Sequence, residues 1–80
     1  MTRAEKIIEA HQNCINLIER IESYKKYIRT NEQRIKDYQK YGFTKRLVNP
    51  LKHDIEIQNM VVKRLEERYK RNFNLIVSFF

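Results

Sequence analysis

Apolar residues recur along the chain at alternating steps of three and four, the spacing of a single stripe on an α-helix. Ile7, Cys14, Ile21, Ile28 and Ile35 occupy one heptad position, and Ala10, Leu17, Tyr24, Asn31 and Tyr38 occupy a second. A second array follows downstream, with Val48, Ile55, Val62, Tyr69 and Ile76 at one position and Leu51, Gln58, Leu65, Asn72 and Phe79 at the other. Sustained heptads of this kind predict two long helices that pack seam to seam.

Punctuation residues set the expected boundaries. Thr2 followed by Glu5 forms a capping box, in which a hydroxyl and a carboxylate satisfy amide donors at the start of a helix. Gly42, the only glycine, supplies a left-handed stop. Asn49-Pro50 reads as a helix start, because Asn caps and the missing Pro amide proton is no loss in a first turn. The predicted fold is therefore all-α, an antiparallel two-helix coiled-coil hairpin forming one domain over residues 1–80. Helix 1 is predicted from about Thr2 to about Tyr41, a bend over 42–49, and helix 2 over about 50–78. The polar seam residues Asn31 and Gln58 fall one layer apart if the fold-back is centred near Gly42-Phe43, and level if it is centred near Thr44-Lys45. The heptads permit both registers.

The two seams do not use all the apolar side chains. Ile8, Ile15 and Ile18 on helix 1, and Ile57, Met60, Val61, Phe73, Leu75, Val77 and Phe80 on helix 2, fall outside them, mostly toward the end that holds both termini. Nothing within one hairpin covers that second face. The expectation is a homodimer pairing into a four-helix bundle, with Ile8, Ile15, Ile18, Phe73, Val77 and Phe80 as the oligomer or partner interface.

Size strengthens that expectation. Eighty residues bury a small core, and a lone Cys14 excludes an internal disulfide, so association is the remaining source of stability. A single thiol and an N-terminus without a secretory pattern predict a cytoplasmic protein, and no apolar run approaches bilayer length.

Charge adds a second surface. The formal net charge of +7 arises between Lys25 and Lys52, where nine Lys/Arg face only Glu32 and Asp37, while the remaining residues balance eight basic against eight acidic side chains. The hairpin is therefore expected to carry a basic tip, with Lys25, Lys26, Tyr27, Arg29, Lys36, Lys40, Tyr41, Phe43, Lys45, Arg46 and Lys52 as candidate contacts to a protein partner or to nucleic acid. Cations suit phosphates or acidic protein faces, and Tyr27, Tyr41 and Phe43 are the rings outside the seam that can stack on bases.

The chemistry of catalysis finds little footing. His11 and Cys14 share a helical face without further ligands, and His53-Asp54 fits first-turn electrostatics. One glycine cannot build a phosphate-cradling loop, and the remaining acids sit in mixed-charge runs. No metal, cofactor, small-molecule substrate or membrane is expected. The predicted function is that of a non-enzymatic binding protein, a regulator or inhibitor of a larger protein or nucleoprotein partner, with a dimeric nucleic-acid-binding protein as the alternative.

Overall fold

The computed structural model describes residues 2–42 and 45–78. Two helices, α1 (Arg3–Lys40) and α2 (Lys45–Val77), pack against each other as an extended helical hairpin measuring 59 × 17 × 14 Å. The long dimension is close to the length of α1 alone, about 57 Å at 1.5 Å per residue, so the shorter α2 lies alongside α1 within about that span.

The start of α1 is set by Thr2, whose backbone is extended and whose Oγ1 accepts from the Glu5 amide at 3.1 Å. At the other end the Tyr41 amide donates to the Asp37 carbonyl at 3.1 Å and the Gly42 amide to the Gln39 carbonyl at 3.3 Å. Gly42 then takes a φ of 74°. A Cβ placed there would meet nothing within 4 Å, so the requirement for glycine lies in the backbone conformation and not in crowding.

α2 begins earlier than Asn49-Pro50 implies. It starts at Lys45 and carries Pro50 inside it. The physical reason is Val48, a seam residue only 5% exposed. Continuing the helix back through Val48 adds a buried layer against α1, which offsets the hydrogen bond that Pro50 cannot donate toward the Arg46 carbonyl one turn before. The local start signal is thus overridden by tertiary packing. Of the predicted bend, Phe43 and Thr44 lie outside the described residues, as do Phe79 and Phe80.

The seam follows the heptads closely. Ala10, Cys14, Leu17, Ile21, Ile28, Val48, Val62 and Leu65 are buried, and Ile7, Tyr24, Asn31, Ile35, Tyr38, Leu51, Ile55, Gln58, Tyr69, Asn72 and Ile76 are half-buried. Leu17, Ile21, Ile28, Val62 and Leu65 form the central cluster, with Tyr24, Ile55, Val61 and Tyr69 packed on it. The Asn31 Nδ2 donates to Gln58 Oε1 at 3.2 Å, a pairing centred on Thr44-Lys45, whereas the pairing of Asn13 with Asn72 is centred on Gly42-Phe43. Toward the open end Asn72 accepts from Asn13 Nδ2 at 3.4 Å and donates to the Arg68 carbonyl at 2.9 Å. Its amide is therefore satisfied by Asn13 and by its own helix and does not depend on Cys14, the seam partner that the heptad alignment suggests.

Candidate functional site: two edges and a tip

Two packed helices leave two long edges, one on each side of the seam, and a back on each helix. In an antiparallel pair the residues that flank the seam on the same side meet across it. Lys25 Nζ lies 3.8 Å from Glu66 Oε1 and marks one of these edges. Helical periodicity of 3.6 residues per turn places Ile8, Ile15 and Ile18 of α1 on that edge with Phe73 and Val77 of α2. All five are exposed, from 38% for Ile15 to 68% for Ile8. Five of the six predicted interface residues are thereby gathered on one side of one end of the hairpin, and the sixth, Phe80, lies outside the described residues. The remaining extra apolar residues do not join them. Ile57, Leu75 and the half-buried Val61 fall on the opposite edge, and Met60 falls on the back of α2. The second apolar face anticipated from the sequence is thus divided.

The basic tip is likewise divided. Counting outward from the Asn31–Gln58 contact brings Lys36 level with Lys52 on the Lys25–Glu66 edge, with Lys45 beyond them and Lys40 and Arg46 on the two backs. These five exposed cations cluster at the closed end. Lys25, Lys26 and Arg29 sit further down the stem, separated from the tip by Glu32 and by Glu56, which α2 brings alongside. Folding therefore adds carboxylates that the linear count assigned elsewhere, and Lys25 is paired with one of them, Glu66. Tyr27 and Tyr41 are exposed at 62% and 72% but lie on the opposite edge from Lys25, Arg29, Lys36, Lys45 and Lys52. Lys40 Nζ stands 5.9 Å from the centre of the Tyr41 ring, so that ring already has a cation over it. Phe43 lies outside the described residues.

Cys14 is buried in the seam, and burial pushes its thiol pKa up because the thiolate is disfavoured away from water. Among the described residues no three His, Cys, Asp or Glu side chains gather closely enough to hold a metal ion. No helix there is long and apolar enough to cross a membrane.

The set missed from the sequence is a group of arginines. Arg20, Arg64, Arg68 and Arg71 belong to the stem whose charges cancel in a linear count, yet all four fall on the edge opposite Lys25 and Glu66. The signal was present in the heptad phase, which puts Glu22, Glu56 and Glu66 on one edge and these arginines on the other. Using it requires knowing that the helices run antiparallel.

No protein-family model matches the chain, and neither a curated protein nor a solved structure shows significant similarity to it.

Proposed function

We propose that this chain is a small non-catalytic binding protein, a regulator or inhibitor that docks a helical face on a larger protein or nucleoprotein partner and pairs as a dimeric four-helix bundle through its terminal half. The observation that carries this reading is the apolar edge of Ile8, Ile15, Ile18, Phe73 and Val77, exposed side by side at one end of the hairpin. Water-exposed isoleucine and phenylalanine in one patch favour association, at about 25 cal/mol for each Å² of apolar surface removed from water. The cluster of Lys36, Lys40, Lys45, Arg46 and Lys52 at the far end then steers acidic partner surfaces toward the closed tip. The alternative in which the tip itself holds nucleic acid draws less support, because Tyr27 and Tyr41 sit on a different edge from most of the tip lysines.

The test is the solution mass of the wild type against Ile15→Asp/Phe73→Asp, measured by light scattering with helicity followed in parallel. A dimer that falls to a helical monomer supports the reading. An unchanged mass together with unchanged capture of partners overturns it. Lys40→Glu/Lys45→Glu/Arg46→Glu is expected to slow partner association without altering mass.

A further inference from the structure

The edge opposite Lys25 and Glu66 is the most one-sided surface of the hairpin. Between Asn13 and Thr30 on α1, and between Ile57 and Leu75 on α2, its flanking positions are Asn13, Asn16, Arg20, Ser23, Tyr27 and Thr30, and Ile57, Val61, Arg64, Arg68, Arg71 and Leu75. None of these is a carboxylate, and every cation among them is an arginine. Of the stem lysines, Lys25, Lys63 and Lys70 lie on the other edge, Lys26 on the back of α1, and Lys6 on this edge beyond Asn13. Counted from the Asn31–Gln58 or the Asn13–Asn72 contact, Arg20 falls within one turn of Arg68. Arg64 and Arg71 sit one turn to either side of Arg68, so four guanidinium groups occupy about 10 Å of the hairpin axis.

That arrangement concentrates positive charge on one edge. Arg64 and Arg68 are four apart on one helix and Arg68 and Arg71 three apart, spacings at which like charges repel, while Glu67 on the back of α2 stands three from Arg64 and four from Arg71. None of the four makes an ion pair within 4.0 Å among the described residues, where the ion pair observed is Lys25–Glu66. The nearest acids, Glu19 and Glu67, point from the backs of the two helices. A cluster with no carboxylate at its flanking positions and no close ion pair among the described residues is complementary to an external polyanion.

The side chains beside it narrow the class of polyanion. Tyr27 lies on the same edge, more than half exposed, with the Arg64 group on one side and Arg34 on the other. A shallow groove lined by Ser23, Lys26, Tyr27, Thr30, Asn31 and Arg34 runs along it. From Arg34 to Arg71 the edge extends about 24 Å, room for a strand a few nucleotides long, with carboxylates, Asp54 and Asp37, entering it only at the Arg34 end. Guanidinium forks match phosphate oxygens bidentately, and a flat ring between them offers a stacking surface. We infer that this edge binds the backbone of single-stranded nucleic acid, with Arg20, Arg64, Arg68 and Arg71 on phosphates and Tyr27 stacked on a base. The site is distinct from the basic tip and from the apolar edge, so it stands whether or not the protein dimerises.

The experiment is fluorescence anisotropy of the full chain with a short labelled oligouridylate across a salt series, with an oligothymidylate arm and a polyglutamate competitor. Arg20→Gln/Arg68→Gln/Arg71→Gln is expected to weaken binding at least tenfold and to flatten the slope of log K against log salt by about 2, since each phosphate contact on a single strand contributes about 0.7. Arg68→Gln alone is expected to flatten it by about 0.7. Tyr27→Ala is expected to lose about tenfold in affinity with the slope unchanged. Lys40→Gln/Lys45→Gln/Arg46→Gln is expected to retain the slope. Glutamine preserves helix propensity, and circular dichroism checks that the fold survives. The inference is overturned if the wild type shows no affinity at low salt, or if the arginine variants keep the wild-type slope while the tip variant loses it. It is equally overturned if polyglutamate competes as well as the oligonucleotide and Tyr27→Ala is silent, which would assign the edge to an acidic protein.

Discussion

Replacing Asn31 and Gln58 separately and together measures what a polar layer in the seam contributes to the hairpin. Their amides meet at 3.2 Å in a partly buried layer, flanked along the seam by Ile28 and Ile55. A typical intramolecular hydrogen bond contributes about 0.5–1.5 kcal/mol net, and an amide stranded in a buried layer costs about 1–3 kcal/mol. Both residues are only half-buried, so water rescues part of that penalty and a coupling energy near 1 kcal/mol is expected. For a chain of this size, 1 kcal/mol corresponds to about 4–8 °C in Tm. Asn31→Leu and Gln58→Leu should each lower Tm or leave it nearly level, because each trades apolar burial for an unpaired amide. The double variant should exceed the wild type, since both amides are gone and the layer becomes apolar. The assay is thermal unfolding by circular dichroism at one fixed protein concentration, because association shifts apparent stability. Effects that add within about 0.3 kcal/mol would refute the coupling and place both amides in solvent.

Leu65→Ala removes a side chain only 3% exposed at the centre of the core cluster and should cost about 2–5 kcal/mol, enough to abolish the cooperative melt of so small a fold; an unchanged Tm would contradict the assigned core. Pro50→Ala restores an amide donor inside α2 and should raise Tm, by up to about 3 kcal/mol of stability; a lower Tm would show that Pro50 marks a true helix start. Cys14 should react with a neutral alkylating reagent only at the rate of unfolding, because its thiol is buried and its pKa raised. The sign of the linked stability follows: the folded form holds its proton longer than the unfolded one, so the contribution is intact below the ordinary thiol pKa and declines as pH rises above it. Cys14→Ala should remove that alkaline decline in a urea titration series.

The seam was legible because its information is local and repeated. Every described heptad position, from Ile7 to Tyr38 and from Val48 to Ile76, is buried or half-buried, since a 3.6-residue period and a short apolar side chain leave a long helix one way to pack. Thr2 and Gly42 were legible for the same reason, each acting on its own backbone. The start of α2 was misread because Asn49-Pro50 and Val48 compete. A capping signal is worth about 1 kcal/mol, and burial of a valine about 1.5–3 kcal/mol, so packing prevails. The register lay beyond the apolar pattern, because sliding α2 by a fraction of a heptad keeps apolar layers opposed; the information lies in the polar contacts Asn31–Gln58 and Asn13–Asn72. The apolar patch was half legible: Ile8, Ile15, Ile18, Phe73 and Val77 share an edge, whereas Ile57 and Leu75 are turned away by their heptad phase.

The arginine edge shows why net charge along a chain is a poor guide to charge on a surface. Outside residues 25–52 the basic and acidic side chains are equal in number, and a linear reading calls that stem neutral. Around the helix axes the same residues are sorted, with Glu22, Glu56 and Glu66 on the edge that carries Lys25 and with Arg20, Arg64, Arg68 and Arg71 on the other. Exposed charges separated by more than a Debye length, about 8 Å at physiological salt, are largely screened from each other, and the full width of the hairpin exceeds that length. The arginine edge therefore presents positive charge to a partner while the Lys25–Glu66 edge presents a mixture of both signs, and the neutrality of the stem as a whole has little bearing on what the arginine edge attracts. The same geometry separates the apolar patch from the arginines. A second copy seated on the Ile15 and Phe73 edge would cover the patch and leave both arginine edges facing outward, so association through one edge and anion binding through the other do not compete for surface.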